Sequence, residues 1–121
     1  METKRILILD DEEEICFLLA ALLSQMGYQT DYAHTLDDGI RKLSIEPPFD
    51  LIFLDLNLPD GLGYHLVPVI KEKHQESKIV MISAHGSLLE QIKEQEQSFD
   101  YFMAKPFSRD NISKILLELD I

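Results

Sequence analysis

Short apolar runs alternate with stretches of helical periodicity along the whole chain. Most of the runs are continuously apolar, as expected of strands buried on both faces of a parallel sheet. We predict five such strands, at Ile6–Leu9, Tyr28–Ala33, Leu51–Leu54, Ile79–Ile82 and Tyr101–Met103. No internal repeat, low-complexity tract or linker rich in glycine, serine or proline interrupts this alternation.

A predicted helix follows each strand. In the first helix, apolar residues recur at intervals of three and four and predict one buried face, made by Ile15, Leu18, Leu19, Leu22, Leu23 and Met26. Thr35 and Asp38 form a capping box that opens the second helix. Pro68 leaves two alternatives for the third helix, a start within one turn of the proline or a kink. The last two helices span about Ser87 to Gln97 and Arg109 to Leu119.

Five strands alternating with five helices predict a single doubly wound α/β domain over residues 1–121, with a five-stranded parallel sheet covered on both faces. In this architecture the functional site lies at the carboxyl ends of the strands, near the point where the strand order reverses. The residues that close each strand are therefore the candidates for chemistry.

Three carboxylates, one hydroxyl and one ammonium close four of the predicted strands, contributed by Asp10 and Asp11, Asp55, Ser83, and Lys105. At ~5 Å and an effective dielectric of about 20, each pair of carboxylates repels by about 3 kcal/mol, so we expect a cation among them. Oxygen ligands without a thiolate favour Mg²⁺, with Mn²⁺ as the alternative. A site with this cation, a lysine and a hydroxyl suits a phosphoryl group, and Asp55 can act as its nucleophile.

Charge and composition narrow the function further. The chain has 22 acidic and 11 basic residues, a formal net charge of −11, which argues against direct nucleic-acid binding and against an anionic membrane surface. The lone cysteine, Cys16, cannot form an internal disulfide and favours a reducing cytoplasm. We interpret Cys16 as apolar filling of the first helix, and the four histidines, which share no metal-ligand spacing, as solvated.

These strand ends resemble the receiver domain of two-component response regulators. The resemblance rests on Asp10-Asp11, the phosphoacceptor strand Leu51–Asp55 with the segment that follows it to Gly61, Ser83-Ala84, and Lys105-Pro106-Phe107, and it extends from Lys4 to Leu119. It implies a flavodoxin-like fold with strand order 2-1-3-4-5. It also implies a signalling switch that catalyses only its own phosphorylation and dephosphorylation, and not a turnover enzyme.

The resemblance further implies roles for individual residues. Asp55 accepts a phosphoryl group from a sensor histidine kinase or a histidine phosphotransfer protein, and Lys105 binds the phosphoryl oxygens. Mg²⁺ is held by Asp10, Asp11, Asp55 and the backbone carbonyl of Asn57. The Lys105–Pro106 peptide bond is expected to be cis.

The switch that the resemblance implies consists of Ser83 and Phe102. The Ser83 hydroxyl is drawn to the phosphoryl group and Phe102 rotates into the vacated space, although it lacks the hydroxyl of the tyrosine common at this position. The surface of the fourth helix, fifth strand and fifth helix (α4-β5-α5) then changes for a downstream output partner or domain, or for a second copy in a homodimer. Asn57 and His85 occupy positions that tune the dephosphorylation rate.

Blander interpretations stay open beside this one. Asp10 and Asp11 can be helix caps, and Glu12–Glu14 favourable acids of a helix first turn instead of metal ligands. The whole domain can be a receiver-like interaction module that is never phosphorylated, or an aspartate-nucleophile phosphatase, although Asn57 stands where such a phosphatase has its second aspartate. The chain ends soon after the last helix, as expected of a free-standing receiver or of a piece of a longer regulator.

Overall fold

The computed structural model of the chain describes residues 3–45, 48–84 and 99–121. Its main sheet has five strands, β1 (Arg5–Leu9), β2 (Gln29–Ala33), β3 (Leu51–Asp55), β4 (Lys78–Ser83) and β5 (Tyr101–Ala104). Their order is β2-β1-β3-β4-β5 and every neighbouring pair is parallel. The predicted doubly wound α/β fold and its order 2-1-3-4-5 are confirmed.

Four α-helices flank the sheet within the described ranges: α1 (Glu13–Gln25), α2 (Leu36–Ile45), α3 (Val67–Lys73) and a C-terminal helix (Arg109–Glu118). A short antiparallel pair, Asn57–Leu58 with Gly61–Leu62, and a 3₁₀ turn at Gly63–Leu66 lie between β3 and α3. The helix predicted at about Ser87 to Gln97 lies outside the described residues. None of the described helices is long and apolar enough to cross a membrane.

The sheet separates two apolar cores. Because side chains alternate along a strand, Leu7 and Leu9 of β1 pack on the side of α2 and α3, while Ile6 and Ile8 pack on the side of α1 and the C-terminal helix. β3 is buried at every residue, as expected of the middle strand of a sheet covered on both faces. Because β1 and β3 are parallel neighbours in the sheet, their carboxyl ends lie side by side.

The α1 helix buries most of the predicted face, since Leu19 and Leu23 lie in the core and Leu22 and Met26 pack against it. Cys16, Leu19 and Leu23 are buried, whereas Leu18, which was predicted to face inward, is 48% exposed and Phe17 is 79% exposed. The buried residues recur at intervals of three and four, so the predicted helical pattern is right, and the prediction is wrong only at Leu18. Which apolar residues of α1 become buried depends on how the helix lies on β1 and β2, and the helix's own sequence does not encode that.

Pro68 lies in the first turn of α3, which begins at Val67. The missing N–H of a proline is tolerated there because the first N–H groups of a helix have no partner within the helix. Of the two alternatives that the sequence left open, the nearby helix start is correct.

The N-terminus of α2 is capped from two places. The N–H of Asp38 donates to Thr35 Oγ1 at 3.1 Å, the local bond predicted from the sequence. The N–H groups of Leu36 and Asp37 donate to the carboxylate of Asp60, at 2.8 and 3.1 Å. These bonds, led by the one from Leu36, lower the pKa of Asp60. They also join α2 to the loop that follows β3.

Candidate functional site

Three acidic side chains converge where β1 and β3 end. Asp10, Asp11 and Asp55 each offer a carboxylate oxygen, and these oxygens all lie within 4.8 Å of one another. Asp10 is fully buried and Asp55 is 4% exposed, while Asp11 is open to solvent. β1 and β3 are hydrogen-bonded neighbours in the sheet, so residues far apart in sequence meet at one edge.

Lys105 provides the positive charge of this cluster. Its Nζ lies 2.9 Å from Asp10 Oδ2, 3.4 Å from Asp55 Oδ2 and 2.8 Å from Glu12 Oε1. Burial by itself would lower the pKa of Lys105, but its close contacts with the carboxylates of Asp10 and Glu12 outweigh burial and raise that pKa. The lysine is therefore a permanent cation in this pocket.

The environment of Asp55 disfavours its negative charge. Burial, followed by repulsion from Asp10, raises the pKa of Asp55 to about 6. Lys105 opposes this shift, as does the main-chain N–H of Asn57, which lies 3.3 Å from Asp55 Oδ1. At neutral pH the carboxylate is still the main form, and it is held at the rim of a mostly apolar strand.

The carboxylates fit a hard divalent cation. Asp10 Oδ1 accepts a hydrogen bond from the N–H of Glu12 at 2.9 Å. Asp10 Oδ2 is close enough to Lys105 for an ion pair but is buried without an aligned hydrogen bond. A carboxylate oxygen has two lone pairs, so this one can bind a cation while Lys105 stays beside it. Together with Asp11 and Asp55, it offers the all-oxygen donor set that Mg²⁺ prefers.

The loop after β3 packs tightly against Asp55. The N–H of Gly63 donates to the Leu56 carbonyl at 2.7 Å, and a Cβ added at Gly63 would lie 1.9 Å from the main-chain oxygen of Asp55. Only glycine allows this approach. Gly63 was not identified from the sequence, because no local pattern indicates its packing against the site.

Ser83 and Phe102, the predicted switch pair, lie on adjacent strands. Ser83 ends β4 and is 1% exposed, and its carbonyl accepts the N–H of Lys105 at 3.0 Å. Phe102 lies opposite Met81 in the register of β5 with β4 and packs, half-buried, against the core on the α2–α3 side. The Lys105–Pro106 bond is cis, as predicted. His85 lies outside the described residues.

Three residues near the cluster have surroundings that the sequence did not indicate. Glu12, interpreted as a first-turn acid, precedes the helix and pairs with Lys105. His34, expected to be solvated, is half-buried with Nδ1 2.8 Å from the Asp10 carbonyl oxygen. Cys16 donates to the same oxygen at 3.2 Å, and burial raises the pKa of its thiol to about 12.

A second histidine also contradicts the expectation of solvated imidazoles. His74 is half-buried, and its Nε2 lies 2.8 Å from the carbonyl oxygen of Leu43. It lies just before β4, at the opposite edge of the sheet from the acidic cluster. Neither its position nor that of His34 carries a local sequence signal, because each contact joins elements that are distant along the chain.

Comparisons with known proteins agree on one family. The family model of the response regulator receiver domain matches residues 6–117. The response regulator protein PilR of Pseudomonas aeruginosa is 34% identical over 116 residues, which are 96% of this chain and 26% of PilR. The transcriptional regulatory protein ResD of Bacillus subtilis is 37% identical over 107 residues, 88% of this chain and 43% of ResD. The chain thus spans less than half the length of these two relatives.

Solved structures show the same fold. A response regulator receiver domain protein from Methanospirillum hungatei superposes with a TM-score of 0.88 at 30% identity, covering 98% of this chain and 95% of that one. The response regulator protein TrrA from Thermotoga maritima, in complex with Mg²⁺-BeF, has a TM-score of 0.84 at 27% identity, covering 97% and 99%. From the family match, the relatives and the fold together, the chain belongs to the response regulator receiver domains, which are signalling switches and not turnover enzymes.

Proposed function

We propose that this chain is a phosphorylation-dependent switch of a two-component system, with Asp55 as the phosphoacceptor. The observation that carries the proposal is the convergence of three carboxylate oxygens within 4.8 Å, with Lys105 Nζ 3.4 Å from Asp55 Oδ2. A sensor histidine kinase or a histidine phosphotransfer protein is the proposed donor. Family membership supports this assignment.

In the proposed reaction, one oxygen of the Asp55 carboxylate attacks the phosphorus of a phosphohistidine. The O–P bond forms as the N–P bond breaks, and the donor imidazole keeps the electron pair of that bond and takes a proton from solvent. Although burial raises its pKa to about 6, Asp55 is mainly the nucleophilic carboxylate at pH 7.

Asp10, Asp11 and Asp55 are the residues that would hold Mg²⁺, or Mn²⁺ as the alternative, with the Asn57 main-chain carbonyl as a further ligand by analogy with the family. When bound, the divalent cation offsets the negative charge of the carboxylates and of the incoming phosphoryl oxygens. The buried Asp10 Oδ2, which lacks an aligned hydrogen bond, supports this ligand set.

Lys105 and Ser83 are the residues proposed to read the phosphoryl group. Lys105 Nζ already lies within 3.4 Å of Asp55 Oδ2 and is shared with Asp10 and Glu12, so phosphoryl oxygens on Asp55 would compete for it. Ser83 lies at the end of β4, at the same edge of the sheet. There its hydroxyl would donate a hydrogen bond to another phosphoryl oxygen. These new bonds favour one of two conformations instead of creating a new one.

The proposed output surface includes β5 and the C-terminal helix, together with the predicted fourth helix. Phe102 would rotate inward from its half-buried position as Ser83 moves. An output domain, a separate protein or a second copy in a homodimer would bind this surface. Because the chain carries a net charge of −11, we assign any nucleic-acid binding to such a partner. We place this signalling in the cytoplasm, in keeping with the single cysteine.

The test is transfer from a radiolabelled small phosphodonor such as acetyl phosphate. We expect one Mg²⁺-dependent label that hydroxylamine removes, as an acyl phosphate requires, and that Asp55→Asn abolishes. Asp120→Asn, a change at an exposed aspartate in the last turn, is the matched control and should label normally. Labelling of the folded Asp55→Asn variant at the wild-type level would refute the assignment of the phosphoacceptor.

The two alternatives predict other results in the same assay. A folded wild-type chain that takes no label in Mg²⁺ would indicate an interaction module that is never phosphorylated. Rapid release of phosphate from many esters would indicate a phosphatase. The sequence disfavours the phosphatase, because the residue two positions beyond Asp55 is Asn57, whose amide cannot act as an acid or base.

A further inference from the structure

Two side chains outside the acidic cluster converge on the main chain that carries it. The Asp10 carbonyl oxygen lies 2.8 Å from His34 Nδ1 and 3.2 Å from Cys16 Sγ. The two side chains are themselves 3.8 Å apart. His34 directly follows β2, and Cys16 lies at the end of the first turn of α1. The end of β1 is thus held by a strand on one side and by a helix on the other.

The chemistry of the acceptor defines the histidine tautomer. A carbonyl oxygen only accepts hydrogen bonds. His34 Nδ1 therefore carries a proton and donates a hydrogen bond to the Asp10 carbonyl oxygen. The neutral thiol of Cys16 is a weaker donor to the same oxygen. The N–H of Asp10 in turn donates to the Ala33 carbonyl at 3.1 Å. Residues 33 and 34 therefore hold both the N–H and the C=O of Asp10.

The hydrogen bonds to the main chain of Asp10 also restrict the position of Asp11. The peptide unit that joins Asp10 to Asp11 is planar, so fixing its oxygen also fixes the nitrogen and Cα of Asp11. Among the residues that the structure describes, none donates a hydrogen bond to the Asp11 carboxylate, which is exposed. The direction in which Asp11 faces Asp10 and Asp55 therefore depends on the main chain that His34 holds.

We propose that His34 is a positioning residue for the metal site, and that its Nδ1–H orients the Asp10–Asp11 peptide unit so that both carboxylates face a cation shared with Asp55. This inference rests on the proposed function, since it presupposes that these carboxylates bind Mg²⁺. In this proposal His34 acts through Asp10 and Asp11 and does not contact the ion. Cys16 assists at the same oxygen.

The experiment measures the Kd for Mg²⁺ by titration of amide NMR signals, alongside the Tm of each variant. His34→Leu removes the donor at similar volume, and we expect it to weaken Mg²⁺ binding about tenfold or more. His34→Asn places an amide N–H where the imidazole has Nδ1–H, and we expect it to keep the Kd within a factor of about three. Long-range proton–nitrogen spectra of the wild-type chain should show His34 protonated at Nδ1.

His74→Leu is the matched control. It deletes the same kind of histidine-to-carbonyl bond, that of His74 with Leu43, at the opposite edge of the sheet. We expect it to lower the Tm and to leave the Kd for Mg²⁺ unchanged. A loss of affinity specific to His34→Leu and rescued by His34→Asn separates positioning from general destabilisation.

Three outcomes would overturn the inference. One is a wild-type Kd in folded His34→Leu, and another is a wild-type His34 protonated only at Nε2, which also decides the matter if the leucine variant does not fold. The third is a wild-type chain that binds no Mg²⁺, which would overturn the proposed metal site along with the inference. The first two leave the proposed function standing, so the two failures are distinguishable.

Discussion

The surroundings that suit Asp55 to its proposed reaction also lower the stability of the folded protein. Its burial and its proximity to Asp10 raise its pKa from an ordinary value of about 4 to about 6. A carboxyl group with a raised pKa favours the folded state when it is protonated. Its contribution to stability is therefore present below pH 4 and is lost as the pH rises through about 6, so at neutral pH the ionised side chain destabilises the metal-free protein.

Asp55→Asn is accordingly expected to stabilise the metal-free chain. A shift of about two pKa units corresponds to about 3 kcal/mol, so the free energy of unfolding at pH 7 should rise by up to about that amount. The gain should shrink towards pH 4 and in the presence of Mg²⁺. Urea unfolding at both pH values measures it, with Asp120→Asn as the control. A loss of stability at pH 7 would contradict the description of Asp55.

At the scale of elements, one aspartate joins a helix to the site loop. Asp60 accepts hydrogen bonds from the first N–H groups of α2 while it lies in the turn between β3 and α3. Because these bonds lower the pKa of Asp60, its stabilising effect is present above the ordinary carboxyl pKa and is lost as the pH falls below it.

Asp60→Ala is expected to lower the Tm at pH 7, because it leaves two N–H groups of α2 without their partner. The difference from wild type should narrow as the pH falls below about 4, because the Asp60 carboxyl of the unfolded chain is protonated there before that of the folded protein. Thermal melts followed by circular dichroism test this, again with Asp120→Asn as the control. A deficit in Tm that is equally large at pH 3 and pH 7 would show that the carboxylate is not what matters.

Two glycines provide a matched test of the packing between β3 and the following loop. Gly27 ends α1 with φ +95° and has no atom within 4 Å of an added Cβ, so Gly27→Ala costs only backbone strain, about 1–2 kcal/mol. Gly63→Ala brings the Cβ to 1.9 Å from the main-chain oxygen of Asp55. We expect a larger loss of stability from Gly63→Ala and, unlike Gly27→Ala, a weaker Mg²⁺ affinity. Equal effects on both properties would contradict the close packing.

For the whole molecule, two electrostatic features stand out, an excess of negative charge and a group of three carboxylates at one edge of the sheet. The chain carries a net charge of −11, and Asp10, Asp11 and Asp55 meet beside the half-buried ammonium of Lys105. A divalent cation that binds the folded state but not the unfolded state must stabilise the protein by mass action.

Mg²⁺ at ten times its Kd is expected to add about 1.4 kcal/mol to the free energy of unfolding, or about 5 °C in Tm. Sodium chloride at the same ionic strength is the control for screening. At the same Mg²⁺ concentration, Asp11→Asn should reduce the shift in Tm, because it removes one carboxylate of the cluster. If sodium chloride raised the Tm as much as Mg²⁺, the cluster would be only a region of screened repulsion.

Local sequence determined the elements and the edge at which the chemistry gathers. Short, continuously apolar runs indicate the strands and a periodicity of 3.6 residues indicates the helices, both of which neighbouring residues encode. The carboxyl ends of parallel strands must lie at one edge. Asp10, Asp11, Asp55, Ser83 and Lys105 could therefore be identified as candidates from their positions after apolar runs. The family resemblance added the proposed roles of Phe102 and Asn57.

Only the tertiary structure decided which side chains support that edge. His34 and Cys16 meet at the Asp10 carbonyl, Glu12 reaches Lys105, and Asp60 caps a helix that begins 24 residues earlier. Each of these contacts requires the order and spacing of strands and helices in space, because the partners lie on different elements. No local pattern encodes such a contact, since its energy depends on the distance and burial that the packed sheet imposes.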